Sequence, residues 1–245
     1  MIDIHSHILA EVDDGPKSWE VSVEMCSMAA ADGIEHMVAT PHANHRYPYD
    51  REYLTQLVDY LRQRVDGKLR LSLGCDFHLS YENLEAAMAS PERFVIQGGR
   101  YLLAEPSNYS IPPQIEDSLR KLIEIGVTPV ITHPERNPIL QKTLERVLRW
   151  VEMGCAVQVT ASALTGHWGE TAWRAAVWLL KRDAVHILAT DAHDTKRRVP
   201  ILSAGRDAAA EHCGKEVAHA LVEDNPRAVI IGKAMPYFPS PIRKD

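Results

Sequence analysis

The chain has 245 residues, which is long enough to bury a substantial core and is a common size for a single α/β barrel. Its 33 acidic and 27 basic residues give a formal net charge of -6 without a basic run, so we do not expect nucleic acid as a partner. No apolar stretch approaches the roughly 18 residues that cross a bilayer, so we expect no membrane insertion.

Short runs of strand-forming residues alternate with longer helical patterns along the chain. Strands that alternate with helices predict βαβ units and a parallel sheet, and about seven units without a glycine-rich dinucleotide motif after the first strand favour a barrel. We find no linker at which to divide the chain, and we predict one domain over residues 1–245. The strand-like runs are MIDIH at 1–5, EHMVAT at 35–40, RLSLGC at 70–75, RYLLAE at 100–105, VTPVITH at 127–133, AVQVTA at 156–161 and VHILAT at 185–190.

Residues that commonly bind metal ions stand at the carboxyl ends of nearly all these runs. The carboxyl ends of parallel barrel strands converge on one face, where catalytic groups lie in such folds. The sequence therefore predicts that these side chains meet at one site. They are His5, His7, His42, Asp76, Glu105, His133, Asp191 and His193.

His5 and His7 are two residues apart on a predicted strand, so both side chains point the same way and can bind one cation. Asp191 and His193 repeat that spacing. Asp3 shares the phase of the two histidines, and we expect its carboxylate to hold an imidazole in the correct tautomer. The alternative for Asp3 is a polar residue of the barrel interior.

A single histidine at a strand end is more often hydrogen-bonded than metal-bound, and a lone His-x-His pair is weak evidence. The repeated placement favours a metal site, because clustered imidazoles and carboxylates without cations would repel or stay unpaired. With Asp14 of the VDDGPKS loop as a further candidate, about nine donors are available, enough for two or three ions. Such ligands without thiolate suit manganese, iron or zinc, and the resulting positive charge favours a dianionic substrate.

The four cysteines stand singly, which matches neither a disulfide framework nor a zinc ribbon. A reducing compartment suits them. The chain also opens with the strand-like MIDIHSH in place of a signal segment, so we expect a cytoplasmic protein.

Several motifs occur together and in order, namely MIDIHSHIL, EVDDGPKS, ATPH, LLAE, ITHPER, TDAH and DNPRAVI. In this combination the chain resembles, over essentially its whole length, the PHP-superfamily protein-tyrosine phosphatases of the CpsB/CapC (YwqE-type) family from bacterial capsule and exopolysaccharide clusters. The resemblance implies a single-domain distorted (β/α)7 TIM-like barrel, the PHP fold. It also implies a site for divalent ions, manganese in many members, that removes phosphate from tyrosine on kinases controlling polysaccharide export.

By motif, the resemblance implies metal binding for the strand-end residues named above, with Asp14 of DDG as a further member. It also implies phosphate binding for Arg136 of THPER and for Arg198 after TDAH, whereas Arg197 is expected to be ordinary surface charge. Where the family usually has Gly-Ala-Glu, this chain has Gly74-Cys75-Asp76, so that ligand is one methylene shorter.

The expected mechanism is metal-assisted phosphomonoester hydrolysis without a covalent intermediate. None of the cysteines is followed by an arginine at the CxxxxxR spacing, so a cysteine nucleophile is not expected. A tyrosyl leaving group has a pKa of about 10 and needs less help from a general acid than a serine alkoxide would.

Two alternatives stay open. Another phosphoesterase of the same superfamily, such as a histidinol-phosphate phosphatase or a nucleotide-processing enzyme, would use similar ligands, and a non-catalytic module would bind metal without turnover. Trp168 could flank the mouth of the site or pack, while Trp173 and Trp178 are expected to pack on the barrel. The remaining histidines are expected to have no metal role, although His45 and His78 lie near the mouth.

Overall fold

The protein is described by a computed structural model that covers residues 1–65, 67 and 69–243. Parallel strands recur along the chain with helices between them, as the alternation in the sequence predicts. Within the described residues the strands are β1 (Ile2–Ser6), β2 (His36–Ala39), β3 (His42–Ala43), β4 (Arg70–Leu73), β5 (Asp76–His78), β6 (Tyr101–Glu105), β7 (Thr128–Thr132), β8 (Ala156–Thr160) and β9 (Ile187–Ala189).

The strands form two parallel sheets, ordered β1-β2-β4 and β3-β5-β6-β7-β8-β9. Because β3 follows directly on β2, and β5 on β4, these segments occupy seven positions around a barrel. The backbone amide of Asp191 donates to the carbonyl of His5 at 2.8 Å, and that of His7 donates to Ala192 at 2.8 Å, which joins the chain after β9 to β1. The predicted distorted seven-unit α/β barrel is therefore confirmed.

The two broken strands explain part of the distortion. Pro41, between β2 and β3, has no amide to donate to the sheet. Gly74 separates β4 from β5, and a Cβ there would lie only 2.9 Å from the Ile96 side chain. In β1, three residue steps from Asp3 to Ser6 match two steps in β2, from Met37 to Ala39. Such a bulge redirects side chains, and this one lies in the part of β1 that contains His5.

The connecting helices pack their apolar positions against the strands. Within the described residues they are α1 (Trp19–Ala31), α2 (Arg51–Val65), α3 (Tyr81–Ala89), α4 (Ile115–Glu124), α5 (Leu144–Met153), α6 (Ala161–Leu164), α7 (Gly169–Leu180), α8 (Ser203–Cys213), α9 (Lys215–His219) and α10 (Asn225–Ile230). Leu54, Val58 and Leu61 of α2 are buried, as are Leu119 and Leu122 of α4, because they repeat at helical spacing. Across the part of the chain that is described, no helix has both the length and the apolar character needed to cross a membrane.

A separate apolar cluster occupies the amino-terminal half of the barrel. It includes Tyr101 and Leu103 of β6 and Ile187 of β9, with Val229 of α10 and Met235 packed against them. Alternate residues of a strand share a face, so the face that begins with Tyr101 and Leu103 ends with Glu105. The apolar cluster is therefore the floor beneath the predicted site.

Candidate metal centre

The carboxyl ends of the strands bring together every side chain that the sequence predicts as a metal ligand. Their imidazole nitrogens and carboxylate oxygens form four overlapping groups, and within each group these atoms lie no more than 4.8 Å apart. The overlap means that neighbouring groups share ligands. The groups are His7, Asp14, His42 and His193; His5, His7 and Asp76; His5, His133 and Asp191; and His42, Asp76 and Glu105.

Many of these ligand atoms are buried without a hydrogen-bond partner among the described residues. They include Nε2 of His5, His7 and His193, Nδ1 of His42 and both carboxylate oxygens of Asp76. Leaving a buried polar atom unpaired costs about 1–3 kcal/mol, so a folded chain seldom leaves several together without a ligand. Divalent cations would satisfy imidazole nitrogens and carboxylate oxygens at once, so the donor set fits metal ions.

Asp76 lies at the middle of the cluster, even though its side chain is short. Its Oδ2 is 3.0 Å from Nδ1 of His42, 3.6 Å from Nε2 of His5 and 3.9 Å from Nε2 of His7. The carboxylate thus faces two of the groups at once. Aspartate at this position therefore still reaches the place where a shared ligand is needed.

The two oxygens of Asp191 face different partners. Oδ1 lies 3.5 Å from Nε2 of His5 and 3.4 Å from Nε2 of His7. Oδ2 accepts from Arg136 and, at 2.5 Å, from Arg198. Burial alone would raise the pKa of Asp191, but the two guanidiniums hold it well below its usual range. Asp191 is therefore a permanent carboxylate that joins the imidazole cluster to the two arginines.

The outer nitrogens of the first two histidines are held by residues that sequence reasoning missed. Nδ1 of His7 pairs with Oδ2 of Asp13 at 2.7 Å, and Nδ1 of His5 pairs with Oε1 of Gln158 at 2.9 Å. Burial favours the neutral acid of Asp13, yet His7 and the amide of Gly15 lower its pKa to about 2. These contacts leave Nε2 of each ring free toward the metal cluster.

Asp3 does not do what we expected of it. Its carboxylate accepts from the backbone amide and hydroxyl of Thr190 and from the backbone amide of His5, at 3.1, 2.5 and 3.3 Å. It therefore fixes the backbone beneath the site instead of holding an imidazole ring. The bulge in β1 explains the error, because the strand phase that links residue 3 to residue 5 is interrupted there.

Two of the candidate ligands have backbone angles that side-chain-bearing residues rarely adopt. The φ angle is +35° at His133 and +51° at Asp191. His133 is the first residue after β7, and Asp191 is the second residue after β9. The amide of His133 donates to the carbonyl of Gln158 at 2.8 Å, which helps to hold the conformation. Such strain costs roughly 1–3 kcal/mol and is concentrated at functional sites.

The centre opens into a cavity of about 290 Å³ whose lining is mostly charged. Arg136, Arg198 and Trp168 form one side of it, so Trp168 does flank the mouth. Asn108, which carried no signal in the sequence, also lines it. His78, for which the sequence predicts no metal role, has its Nδ1 3.6 Å from Oε2 of Glu105. Arg197 is exposed, as expected for a surface charge.

The cysteines are chemically quiet. Burial raises the pKa of Cys26 and Cys155 to about 12, that of Cys213 to about 11, and that of Cys75 well above its ordinary value. A thiol with such a pKa carries almost no thiolate near neutral pH, and the thiolate is the nucleophilic form. This agrees with the expectation that no cysteine attacks the substrate.

A closed parallel barrel with a cluster of imidazoles and carboxylates at the carboxyl ends of its strands defines a metal-binding α/β barrel. A family model described as "Capsular polysaccharide synthesis, CpsB/CapC" matches residues 1–231. The chain belongs to the CpsB/CapC family.

Relatives with known names are similar over most of the chain. Tyrosine-protein phosphatase CpsB of Streptococcus pneumoniae is 31% identical over 241 residues, which are 94% of this chain and 98% of that protein. Tyrosine-protein phosphatase YwqE of Bacillus subtilis (strain 168) is 32% identical over 202 residues, 81% of this chain and 79% of that protein. A solved structure from work on YwqE and CpsB, described there as unique metal-dependent tyrosine phosphatases, matches 100% of both chains with a TM-score of 0.92 at 28% identity.

Proposed function

We propose that this protein is a metal-dependent protein-tyrosine phosphatase that hydrolyses a phosphotyrosine monoester without a covalent enzyme intermediate. The observation that carries the proposal is the group of unpartnered imidazole and carboxylate atoms facing a cavity that two arginines also line. Cations and arginines around one cavity suit a dianionic phosphoryl group. The names of the similar phosphatases support the same activity.

The ligands are the eight strand-end residues and Asp14. Asp14 contributes an oxygen that lies 3.3 Å from Nε2 of both His42 and His193. The ligands suffice for two or three divalent ions, with manganese as our first choice and iron or zinc as alternatives. When bound, such ions acidify a water molecule and neutralise charge on phosphoryl oxygens.

The chain's own groups bind and orient the substrate. Arg136 and Arg198 already share Oδ2 of Asp191, which leaves other guanidinium N–H groups to donate to the phosphoryl oxygens. Asp13 and Gln158 keep Nε2 of His7 and His5 directed at the ions. The phenolate of tyrosine is a good leaving group, so the site does not need a strong general acid.

The partner that fits this site is a phosphotyrosine protein, and the capsule-synthesis family favours a bacterial tyrosine kinase. We assign the reaction to the cytoplasm, where the four free thiols would stay reduced.

The test is to strip the protein with a chelator, restore Mn²⁺, Fe²⁺, Zn²⁺ or Mg²⁺ singly, and measure phosphate release. Phosphotyrosine peptide, an aryl phosphate and histidinol phosphate serve as parallel substrates. We expect metal-dependent release that is fastest from the peptide, and its loss in the His5→Ala/His7→Ala variant. Faster turnover of histidinol phosphate would favour the other phosphoesterase, and bound metal without turnover would favour a non-catalytic module.

A further inference from the structure

Trp168 is held in place at the mouth of the cavity. It lies in the loop between α6 and α7, at the carboxyl end of the barrel, and its ring is half-buried. The indole Nε1–H donates to the hydroxyl of Ser162 at 2.9 Å. This bond, together with packing against the apolar core, fixes the direction of the ring plane.

The face of the fixed indole contacts both arginines of the cavity. The guanidinium carbon of Arg136 lies 4.1 Å from the ring centroid, and that of Arg198 lies 5.5 Å from it. Tryptophan is the side chain over which a guanidinium binds best. Each arginine is therefore held from two directions, by the indole and by Oδ2 of Asp191.

These two contacts do not use every donor of the arginines. Nε of Arg136 and Nε of Arg198 are buried and have no partner among the described residues. Arginine loses rotamer entropy when it is immobilised, so a pair that is already fixed binds an anion with less loss. The indole is the contact that could supply this restraint without consuming an N–H donor.

We propose that Trp168 is a positioning residue that holds the guanidiniums of Arg136 and Arg198 toward the cavity, so that the pair binds the phosphoryl group as one prearranged unit. The inference rests on the proposed phosphatase function. It assigns to Trp168 an effect on phosphate binding that acts through the arginines and not through the metal ligands.

The chain offers a matched control on the same helix that follows Trp168. Trp178 of α7 also carries an arginine over its ring, Arg182 at 3.8 Å, but neither residue lines the cavity. As expected from the sequence, Trp178 packs against the core, whereas Trp173 lies on the outer surface with 36% of its area exposed, contrary to expectation. Trp178→Leu therefore removes the same kind of contact at a distance from the site.

The experiment compares Trp168→Leu, Trp168→Phe and Trp178→Leu as metal-loaded proteins, with metal content and thermal unfolding measured for each. We expect Trp168→Leu to lower kcat/KM for an aryl phosphate about tenfold and to weaken inorganic phosphate binding by a similar factor, as the loss of two cation–π contacts implies. Trp168→Phe keeps an aromatic face and should stay within about threefold of the wild type. Trp178→Leu should leave both quantities unchanged.

A double-mutant cycle separates positioning from general packing. In an Arg136→Ala background, Trp168→Leu should weaken phosphate binding much less than it does in the wild type, because one of its two arginines is gone. An undiminished effect in that background, or an unchanged kcat/KM in the single variant, would overturn the inference. Titration calorimetry with inorganic phosphate gives the binding result even if the wild type proves not to be a phosphatase, so failure of the proposed function is recognised separately.

Discussion

The interior of the barrel is apolar at the amino-terminal ends of the strands and polar at their carboxyl-terminal ends. At the amino-terminal end, Tyr101, Leu103 and Ile187 are buried against other apolar side chains. Glu105 lies two residues after Leu103 and Asp191 lies four residues after Ile187, and at this end they meet histidines and arginines. One strand thus supplies both a packed floor and a polar centre.

The floor stabilises the fold, whereas the metal centre destabilises it when no metal is bound. The apolar side chains of the floor are buried, and this stabilises the fold in proportion to the apolar area removed from water. The centre above it contains unpartnered polar atoms and positive-φ residues, both of which destabilise the metal-free chain. Mutations at the two ends should therefore have opposite signatures in activity and in stability.

The largest effect is expected for Asp76→Asn at the middle of the centre. The change keeps the side chain's shape but removes a negative charge that two ligand groups share. We expect phosphate release to fall on the order of 10³-fold, the upper range for loss of one electrostatic group in an active site. The free energy of unfolding of the chelator-treated protein should fall little, because the carboxylate of Asp76 accepts no hydrogen bond among the described residues. Strong destabilisation of the metal-free protein would mean that the centre, like the floor, stabilises the fold without metal.

Ile187→Ala at the floor should behave in the reverse way. Ile187 is fully buried, so truncation removes apolar contacts and leaves a cavity. We expect a loss of about 2–5 kcal/mol in the free energy of unfolding, measured with urea on chelator-treated protein. Metal affinity and kcat of the folded variant should match the wild type. A loss of metal affinity in this variant would mean that the floor and the metal centre do not contribute independently to stability and to metal binding.

Asp13→Asn tests the contacts that hold the imidazoles. Asparagine has one acceptor oxygen where Asp13 has two, so Nδ1–H of His7 competes for it with the amides of Gly15 and His42, and the ring is held less firmly. Metal affinity should fall roughly 10–100-fold, as is typical when such a partner of a ligand is removed. Metal titration of the apo protein checks this. Asp32→Asn, which disturbs only the carboxylate that bonds Leu202 and Ser203 at the start of α8, is the control and should retain full affinity.

The smallest effect concerns His186, a buried histidine directly before β9. Its Nδ1 accepts from the amide of Val157 at 3.1 Å, and burial lowers its pKa to about 3. The unfolded chain therefore takes up a proton below about pH 6.5 while the folded chain does not, and this lowers stability as the pH falls toward 3. Between pH 7 and pH 5 the wild type should lose about 2 kcal/mol more than His186→Asn in urea unfolding of the chelated proteins. If the wild type and His186→Asn lost the same free energy of unfolding between pH 7 and pH 5, His186 would not be the source of the pH dependence.

Much of the barrel and its centre could be predicted because the signal is positional. Histidines and carboxylates at the ends of six of the seven strand-like runs mark the ligands, since parallel strands end on one face. Arg136 and Arg198 were found through motifs and do contact Asp191.

The remaining features depend on contacts between distant segments. Gln158 reaches His5 across 153 positions, and nothing in its own strand distinguishes it from an ordinary polar residue. Asp13 and Asp14 are neighbours of the same type, and only the folded loop shows that the first holds His7 while the second faces His42 and His193. The misassignment of Asp3 has a local cause, because a β-bulge cannot be read from alternation.

The most direct measurement follows metal content and phosphatase activity together while the chelator-treated protein is titrated with Mn²⁺. We expect phosphotyrosine hydrolysis to be absent from the metal-free chain and to return as two or more ions bind per molecule, with no such return in Asp76→Asn. Full turnover of phosphotyrosine by protein from which the metal has been removed would contradict it.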